Sequence, residues 1–333
     1  MNVLITNRCN LSCPYCFARL KTTDPRAGAG GDEHMTLENY LTCLDFLERS
    51  RQNEVRILGG EPTLHPRLEE FLAAALKRKM EVLIFSNGLW SEKVRSLFER
   101  PEMSAVKFVI NTNASVMEDP AMKRSLEKTL AIAGKRAALG FNIYQREFSM
   151  GFLGDLIEAW DLQRTVRLGL ASPIIGFDNA CIADEDLKAA GKRLIAELSI
   201  LEKKDVLGSF DCGFPFCLFD EQDLGRLAMT SVGFTSICSP PIDVGVDLTV
   251  WSCFPLSMVL NVKLTDFPNS IAIRDYYRSK LDAFKSFGQT EECLTCKYLR
   301  RGQCSGGCFA RNLRRWQKDD PSLLEKINRM AEA

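Results

Sequence analysis

The sequence predicts an α/β chain in which parallel strands close a partial barrel or a doubly wound sheet, followed by a small cysteine-rich α+β unit. Three observations predict it. Short β-rich runs alternate with amphipathic helices from the first residues to about residue 205, the composition changes beyond that point, and 13 cysteines stand against only 2 histidines. At 333 residues the chain buries enough surface to fold without disulfide staples.

The elements follow in order. Residues 3–6, 55–58, 82–86, 106–111, 141–147 and 166–170 carry the β-branched and aromatic runs of six strands. The first helix follows Thr36, a suitable N-cap, and sets Leu37, Tyr40, Leu41, Leu44 and Leu47 on one face. Further helices are expected at 66–79, 90–99, 121–138 and 152–163, and one at 184–204 ends the regular pattern. A boundary at 205–209 divides a first domain, 1–205, from a cysteine-rich one, 206–310, with a charged C-terminal helix at 311–333. Within 206–310, residues 242–246 and 248–252 can form a hairpin and 270–286 a helix. Little else there can build an apolar core, so metal ligation is expected to supply local stability.

Charge excludes some partners. Lys+Arg and Asp+Glu are both 43, which removes the basic footprint of a nucleic-acid binder or an anionic-membrane binder. No apolar run approaches the roughly 20 residues of a membrane span. The N-terminus lacks a signal-peptide pattern. A cytoplasmic chain is expected, in which closely spaced cysteines ligate metal instead of forming disulfides. With so little histidine the sites must be thiolate-rich, which favours zinc or iron–sulfur clusters. The Gly28-Ala29-Gly30-Gly31 stretch follows a cysteine loop instead of a strand and reads as a loop, not a phosphate cradle.

Directly after the first strand come Cys9, Cys13 and Cys16, a C-x3-C-x2-C run. Three thiolates on one loop can hold three irons of a cubane and leave the fourth open. On spacing alone, a zinc site completed by His34 is the alternative. Gly59-Gly60-Glu61-Pro62 follows the second strand, and Ser86-Asn87-Gly88 the third.

With Tyr15 as the aromatic before the third cysteine, these three motifs in order resemble the radical S-adenosylmethionine (SAM) enzyme superfamily. The resemblance implies a partial (β/α)6 TIM-like barrel with its site at the C-terminal strand ends. It implies a 4Fe–4S cluster whose open iron chelates SAM, reductive cleavage to a 5′-deoxyadenosyl radical, and hydrogen abstraction from a substrate. Gly59, Gly60, Glu61 and Pro62 would meet the cofactor's amino group, with Glu61 accepting from it. Tyr15 would lie near the adenine, Ser86, Asn111 and Asn113 near the methionine or ribose hydroxyls, and Arg167 near the carboxylate. An electron donor such as a flavodoxin or ferredoxin is implied. His65 reads as a helix-start residue, and Cys43 and Cys181 as unligated.

The C-terminal cysteines resemble the SPASM/Twitch extension of that superfamily, which binds one or two auxiliary 4Fe–4S clusters. The match is Cys238-x14-Cys253, then Cys293-x2-Cys296-x7-Cys304-x3-Cys308. Two departures stand out: Leu248 occupies the position of a glycine, and no cysteine follows Cys308. Upstream Cys212 and Cys217 bring the thiols to eight. The resemblance would give Cys238, Cys253 and Cys308 to a nearer cluster with one of the upstream pair. Cys293, Cys296 and Cys304 would hold an outer cluster, closed by the other upstream cysteine or left with an open iron. Spacing alone also permits a zinc knuckle at 293–308.

Auxiliary clusters imply an electron acceptor and hence a net oxidation. The expected activity is modification of a ribosomal peptide by a crosslink, dehydrogenation or similar oxidation. The alternatives are a dehydrogenase or epimerase of a small molecule such as a sugar or cyclitol, and a non-catalytic iron–sulfur or zinc protein. Phe254 stands where sulfatase-maturing relatives carry an aspartate, which argues against that activity. A barrel that begins at residue 2 or 3 is expected to leave peptide recognition to a separate protein or to the barrel itself. Glu147, Asp155, Asp178 and Asp211 are the candidate proton acceptors, with Glu147 preferred as the general base.

Overall fold

Eight parallel strands run across one sheet in sequence order: β1 (Asn2–Leu4), β2 (Glu54–Leu58), β3 (Glu81–Ser86), β4 (Lys107–Asn111), β5 (Ala137–Ile143), β6 (Thr165–Leu170), β7 (Leu207–Phe210) and β8 (Ser231–Val232). Each strand lands beside its predecessor on the same side, which is the winding of a barrel arc. A doubly wound sheet would reverse direction partway. The computed structural model describes residues 1–21, 33–239 and 241–332, so the Gly28–Gly31 stretch lies outside the described residues.

The helices pack on one face of the arc: α1 (Leu37–Arg49), α2 (Leu68–Lys77), α3 (Glu92–Glu99), α4 (Ala114–Glu118), α5 (Pro120–Ala133), α6 (Gly151–Ala159), α7 (Leu187–Glu202) and α8 (Glu221–Thr230). Thr36 caps α1 by accepting from Asn39 N at 3.1 Å, as its position before the periodic run predicts. Strand alternation then decides which residues reach the site. Val3, Ile57, Ile84, Ile110, Phe141, Leu168 and Phe210 point into the helix-facing core. The intervening Leu4, Leu58, Phe85, Asn111, Asn142, Arg167 and Asp211 therefore face the lumen of the arc.

Two expectations shift. The helix expected to run to 138 stops at Ala133, where Gly134 turns the chain at φ +48°, so β5 begins at Ala137, four residues before the expected start. The parallel series also continues past 205 through β7 and β8. From β8 the chain crosses to the opposite edge of the sheet, where β9 (Asp243–Val244) pairs parallel with β1, Asn2 opposite Asp243. The Asn2 amide donates to the buried Asp243 carboxylate at 2.6 Å. β10 (Thr249–Trp251) and β11 (Val262–Lys263) extend that edge antiparallel. The cysteine-rich region is thus one continuous sheet with the barrel. Beyond it come α9 (Ser270–Leu281), α10 (Glu291–Thr295), α11 (Lys297–Arg300), α12 (Phe309–Asp319) and α13 (Leu323–Glu332). Among the described residues no helix is long and apolar enough to cross a membrane.

Candidate active site and metal centres

The loop after β1 carries Cys9, Cys13 and Cys16, and the turn after β2 is stitched to it. Gly60 N donates to Thr6 O at 2.8 Å, and Glu61 N to Arg8 O at 2.7 Å. A Cβ on Gly60 would sit 2.3 Å from Arg8 O and 2.8 Å from Cys9 Cβ, and one on Gly59 2.5 Å from Thr6 O. Both glycines are therefore demanded by close approach of the turn to the cysteine loop. Asn87 extends the same attachment, its amide donating to Asn10 Oδ1 at 2.7 Å.

Glu61 is fully buried and occupied within the protein. Its Oε1 accepts from Thr63 N, Thr63 Oγ1 and Ser86 Oγ at 3.2, 2.7 and 2.8 Å, and its Oε2 from Asn87 N at 2.8 Å. Burial pushes its carboxyl above the usual range, and the Asn87, Thr63 and Ser86 donors oppose that. Ser86 Oγ also accepts from Trp90 Nε1 and Gly88 N. Glu61 and Ser86 thus tie the ends of β2 and β3 together and hold the turn's backbone in place. Pro62 opens the short turn that follows. Both ring nitrogens of His65 are likewise used inside the fold, by Met35 O and Arg67 N.

Tyr15 stacks on Tyr144 with ring centres 4.6 Å apart, and its hydroxyl donates to Asn113 Oδ1 at 2.9 Å. Asn113 in turn donates to Asn142 O at 2.9 Å. The loop is thereby anchored to the end of β5. Asn111 stands opposite Gly140 and Asn142 opposite Gly169 in the strand register. Each amide oxygen lies where the neighbouring glycine's Cβ would be, at 2.4 and 2.6 Å. The two glycines make room for a step of amides facing the lumen. Sequence reading missed Asn142 and Tyr144, because a lone polar residue in a strand gives no periodic signal.

Arg167 reaches across the lumen. Its guanidinium lies 4.8 Å over the Phe85 ring, three strands away, and pairs with Asp211 at 2.5 Å. The opposite wall is apolar: Leu4, Leu58, Trp251, Phe254 and Ala18, with Cys16 and Phe85 packed against them. Of the four candidate carboxylates, Asp211 alone lies in the lumen. The Glu147 side chain is 75% exposed and paired with Arg146. Asp155 pairs with Lys204 on the outer helix layer and Asp178 with Arg314 at the surface.

The thiols fit iron–sulfur ligation. Burial pushes Cys9 up to about 12 and Cys16 up to about 11, and raises Cys13 as well. Such thiolates need a strong positive partner. Tetrahedral zinc would bring its sulfurs within about 3.8 Å of one another. Among the described residues no three His, Cys, Asp or Glu side chains are gathered closely enough for one metal ion. His34 hydrogen-bonds Thr6 Oγ1 at 2.8 Å and sits 3.4 Å from Glu33, so its ring serves the β1 end. Cys43 is buried in the core. In the C-terminal field, burial raises the Cys253 thiol well above its usual range, and the neighbouring Cys238, Cys308 and Cys212 thiols raise it further. Burial likewise raises the Cys217 thiol, with Cys293, Cys304 and Cys296 as its thiol neighbours. The buried Ser252 hydroxyl beside Cys253 has no partner among the described residues, which suits a donor to a cluster sulfur.

Residues 3–161 match the model of the Radical SAM superfamily. A GTP 3′,8-cyclase of Helicobacter pylori is 26% identical over 134 residues, 38% of this chain and 40% of that protein. An S-adenosylmethionine-dependent nucleotide dehydratase of Selenomonas ruminantium is 27% identical over 209 residues, 61% of this chain and 65% of its own. The chain thus spans less than half the length of the cyclase it matches. Streptococcus suis SuiB bound to the precursor peptide SuiA superposes with TM-score 0.63 at 14% identity, over 94% of this chain and 72% of that one. The structure of anSMEcpe with bound AdoMet superposes with TM-score 0.61 at 16% identity, over 98% and 99%. These two likenesses extend the shared fold through the cysteine-rich region.

Proposed function

The chain belongs to the Radical SAM superfamily, and on that premise we propose that it cleaves SAM reductively and oxidises a ribosomal peptide by hydrogen abstraction. The observation that carries the first half is the Cys9–Cys13–Cys16 loop, fastened by two backbone hydrogen bonds to the Gly59–Gly60–Glu61 turn at the mouth of a parallel arc. When bound there, a 4Fe–4S cluster supplies the electron that cleaves SAM.

The protein's own residues do the rest. Glu61 and Ser86 fix the turn, so backbone groups of Gly59 and Gly60 present a rigid edge to the cofactor. The Tyr15–Tyr144 stack and Asn113 hold the far side of the cysteine loop. Asn111 and Asn142 offer amides to ribose or substrate oxygens. The apolar wall of Leu4, Leu58, Phe85 and Trp251 excludes water. Asp211 accepts the proton released when the substrate is oxidised, and Arg167 orients it. The auxiliary cysteines Cys212, Cys217, Cys238, Cys253, Cys293, Cys296, Cys304 and Cys308 would hold the electron acceptor.

A peptide substrate draws support from the likeness to SuiB, solved with its precursor peptide. A small-molecule substrate is the second reading, favoured by the nucleotide-acting names of the curated relatives. Incubation of the reductively loaded chain with SAM tests the core proposal. 5′-Deoxyadenosine should form, and Cys13→Ala or Cys16→Ala should abolish it. Undiminished 5′-deoxyadenosine in either variant would sink the assignment. Candidate peptides and nucleotides assayed in parallel for an oxidised product separate the two substrate classes.

A further inference from the structure

Three segments distant in sequence meet at Ser236. Its hydroxyl lies 3.0 Å from Phe214 O and 3.3 Å from Cys304 Sγ, and it accepts from Phe216 N at 3.1 Å. Ser236 also forms a parallel bridge with Cys304, and Ser305 N donates to Ser236 O at 3.1 Å. Outside this clamp the Phe216 ring packs against Tyr298 at 5.0 Å, and Glu221 pairs with Lys297. The loop after β7 is therefore fastened to the 293–304 loop at three points.

Cys217 lies inside that fastening. It lines a cavity of about 530 Å³ together with Cys293, Cys296 and Cys304, whereas Cys212, Cys238 and Cys253 lie outside it. Cys308 touches the same cavity, but in the division of the C-terminal cysteines that the resemblance implies it goes with Cys238 and Cys253. The eight thiols thus fall into two groups of four. Of the upstream pair, Cys217 and not Cys212 lines the cavity of the 293–304 triplet.

We infer that Cys217 is the fourth ligand of the outer auxiliary cluster, closing the Cys293–Cys296–Cys304 triplet, while Cys212 closes the inner one with Cys238, Cys253 and Cys308. The inference rests on the reading of the C-terminal field as cluster-binding. Four thiolates leave no iron open, so neither auxiliary cluster binds substrate, and both serve electron transfer. Cys212 and Cys217 share the short loop that begins at Asp211. The two clusters are then joined through one peptide segment to the lumen carboxylate.

The test uses the full chain, reconstituted anaerobically with iron and sulfide. The unaltered protein should hold about twelve irons in three cubanes. Cys217→Ala should lose about four of them, or show the EPR signal of a cubane that has shed an iron. Cys181→Ala should keep all about twelve irons. Unchanged iron and EPR in Cys217→Ala would overturn the assignment. Should that variant fail to fold, cyanide added to the unaltered chain reads the same point. A single cyanide-binding iron, protected by SAM, is expected, and a second one that SAM leaves unprotected overturns the closed outer cluster. An unaltered chain with about four irons and bound zinc would instead overturn the cluster-binding reading itself.

Discussion

The two thiol regions of this molecule are built in opposite ways. Cys9, Cys13 and Cys16 sit on one loop, and local backbone bonds from the neighbouring turn hold that loop in shape. The eight C-terminal thiols come from the β7 loop, the crossing segment, the end of β10 and the 293–308 stretch. They converge only because Ser236 and the β1–β9 pairing bring those pieces together. A local site survives as a sequence motif, whereas a convergent site depends on the whole sheet. Damage to one should therefore leave the other intact, apart from the lumen that both share.

The largest effect is expected in that shared lumen. Asp211→Asn removes the carboxylate that pairs with Arg167 while keeping its shape. Formation of oxidised product should fall by about 10²-fold or more, and 5′-deoxyadenosine should still appear, because hydrogen abstraction precedes loss of the proton. Glu147→Gln should leave both rates within about twofold, as a surface substitution away from the site does. Assaying product and 5′-deoxyadenosine in the same reaction checks the pair. Equal loss of the two in Asp211→Asn would make Asp211 a structural residue.

How much of this was legible in the sequence follows the same division. The six strands up to Leu170 and the helix-facing residues between them show as alternation. β7 and β8 do not, since four and two residues with exposed Leu207 and Val232 carry no period. β5 was displaced because Ala137 and Ala138 read as the continuation of a helix, and only the Gly134 turn ends it. The first cysteine loop was legible as spacing. The amide step was not, because it depends on Asn111 facing Gly140 and Asn142 facing Gly169 across strands. Asp211 could not be chosen from its neighbours in sequence, since its partner Arg167 lies 44 residues away.

The next effect probes the local site alone. Gly60→Ala drives a Cβ to 2.3 Å from Arg8 O, and the turn and loop must move apart. Overpacking of this kind costs about 1–3 kcal/mol. Iron at the first cluster and SAM cleavage should drop together, with the auxiliary irons retained. If the auxiliary irons fall in equal proportion, the two regions are not independent.

The smallest effect probes the convergent site. Ser236→Ala deletes one hydroxyl but leaves Phe216 N without its acceptor and Cys304 without its neighbouring O–H. An unsatisfied group of this kind costs about 1–3 kcal/mol, spread over a clamp that still keeps the Ser236–Cys304 bridge, the Phe216–Tyr298 contact and the Glu221–Lys297 pair. The Tm should fall by a few degrees, and 5′-deoxyadenosine formation should stay at the level of the unaltered chain. Outer-cluster iron should fall partially and recover when the pre-formed cluster is supplied in excess, since ligands held loosely can still be captured by mass action. Ser236→Thr keeps the hydroxyl and should retain that iron without added cluster. If Ser236→Ala instead lowers first-cluster iron, the β1–β9 pairing transmits the disturbance across the sheet, and the separation between a local and a convergent site fails.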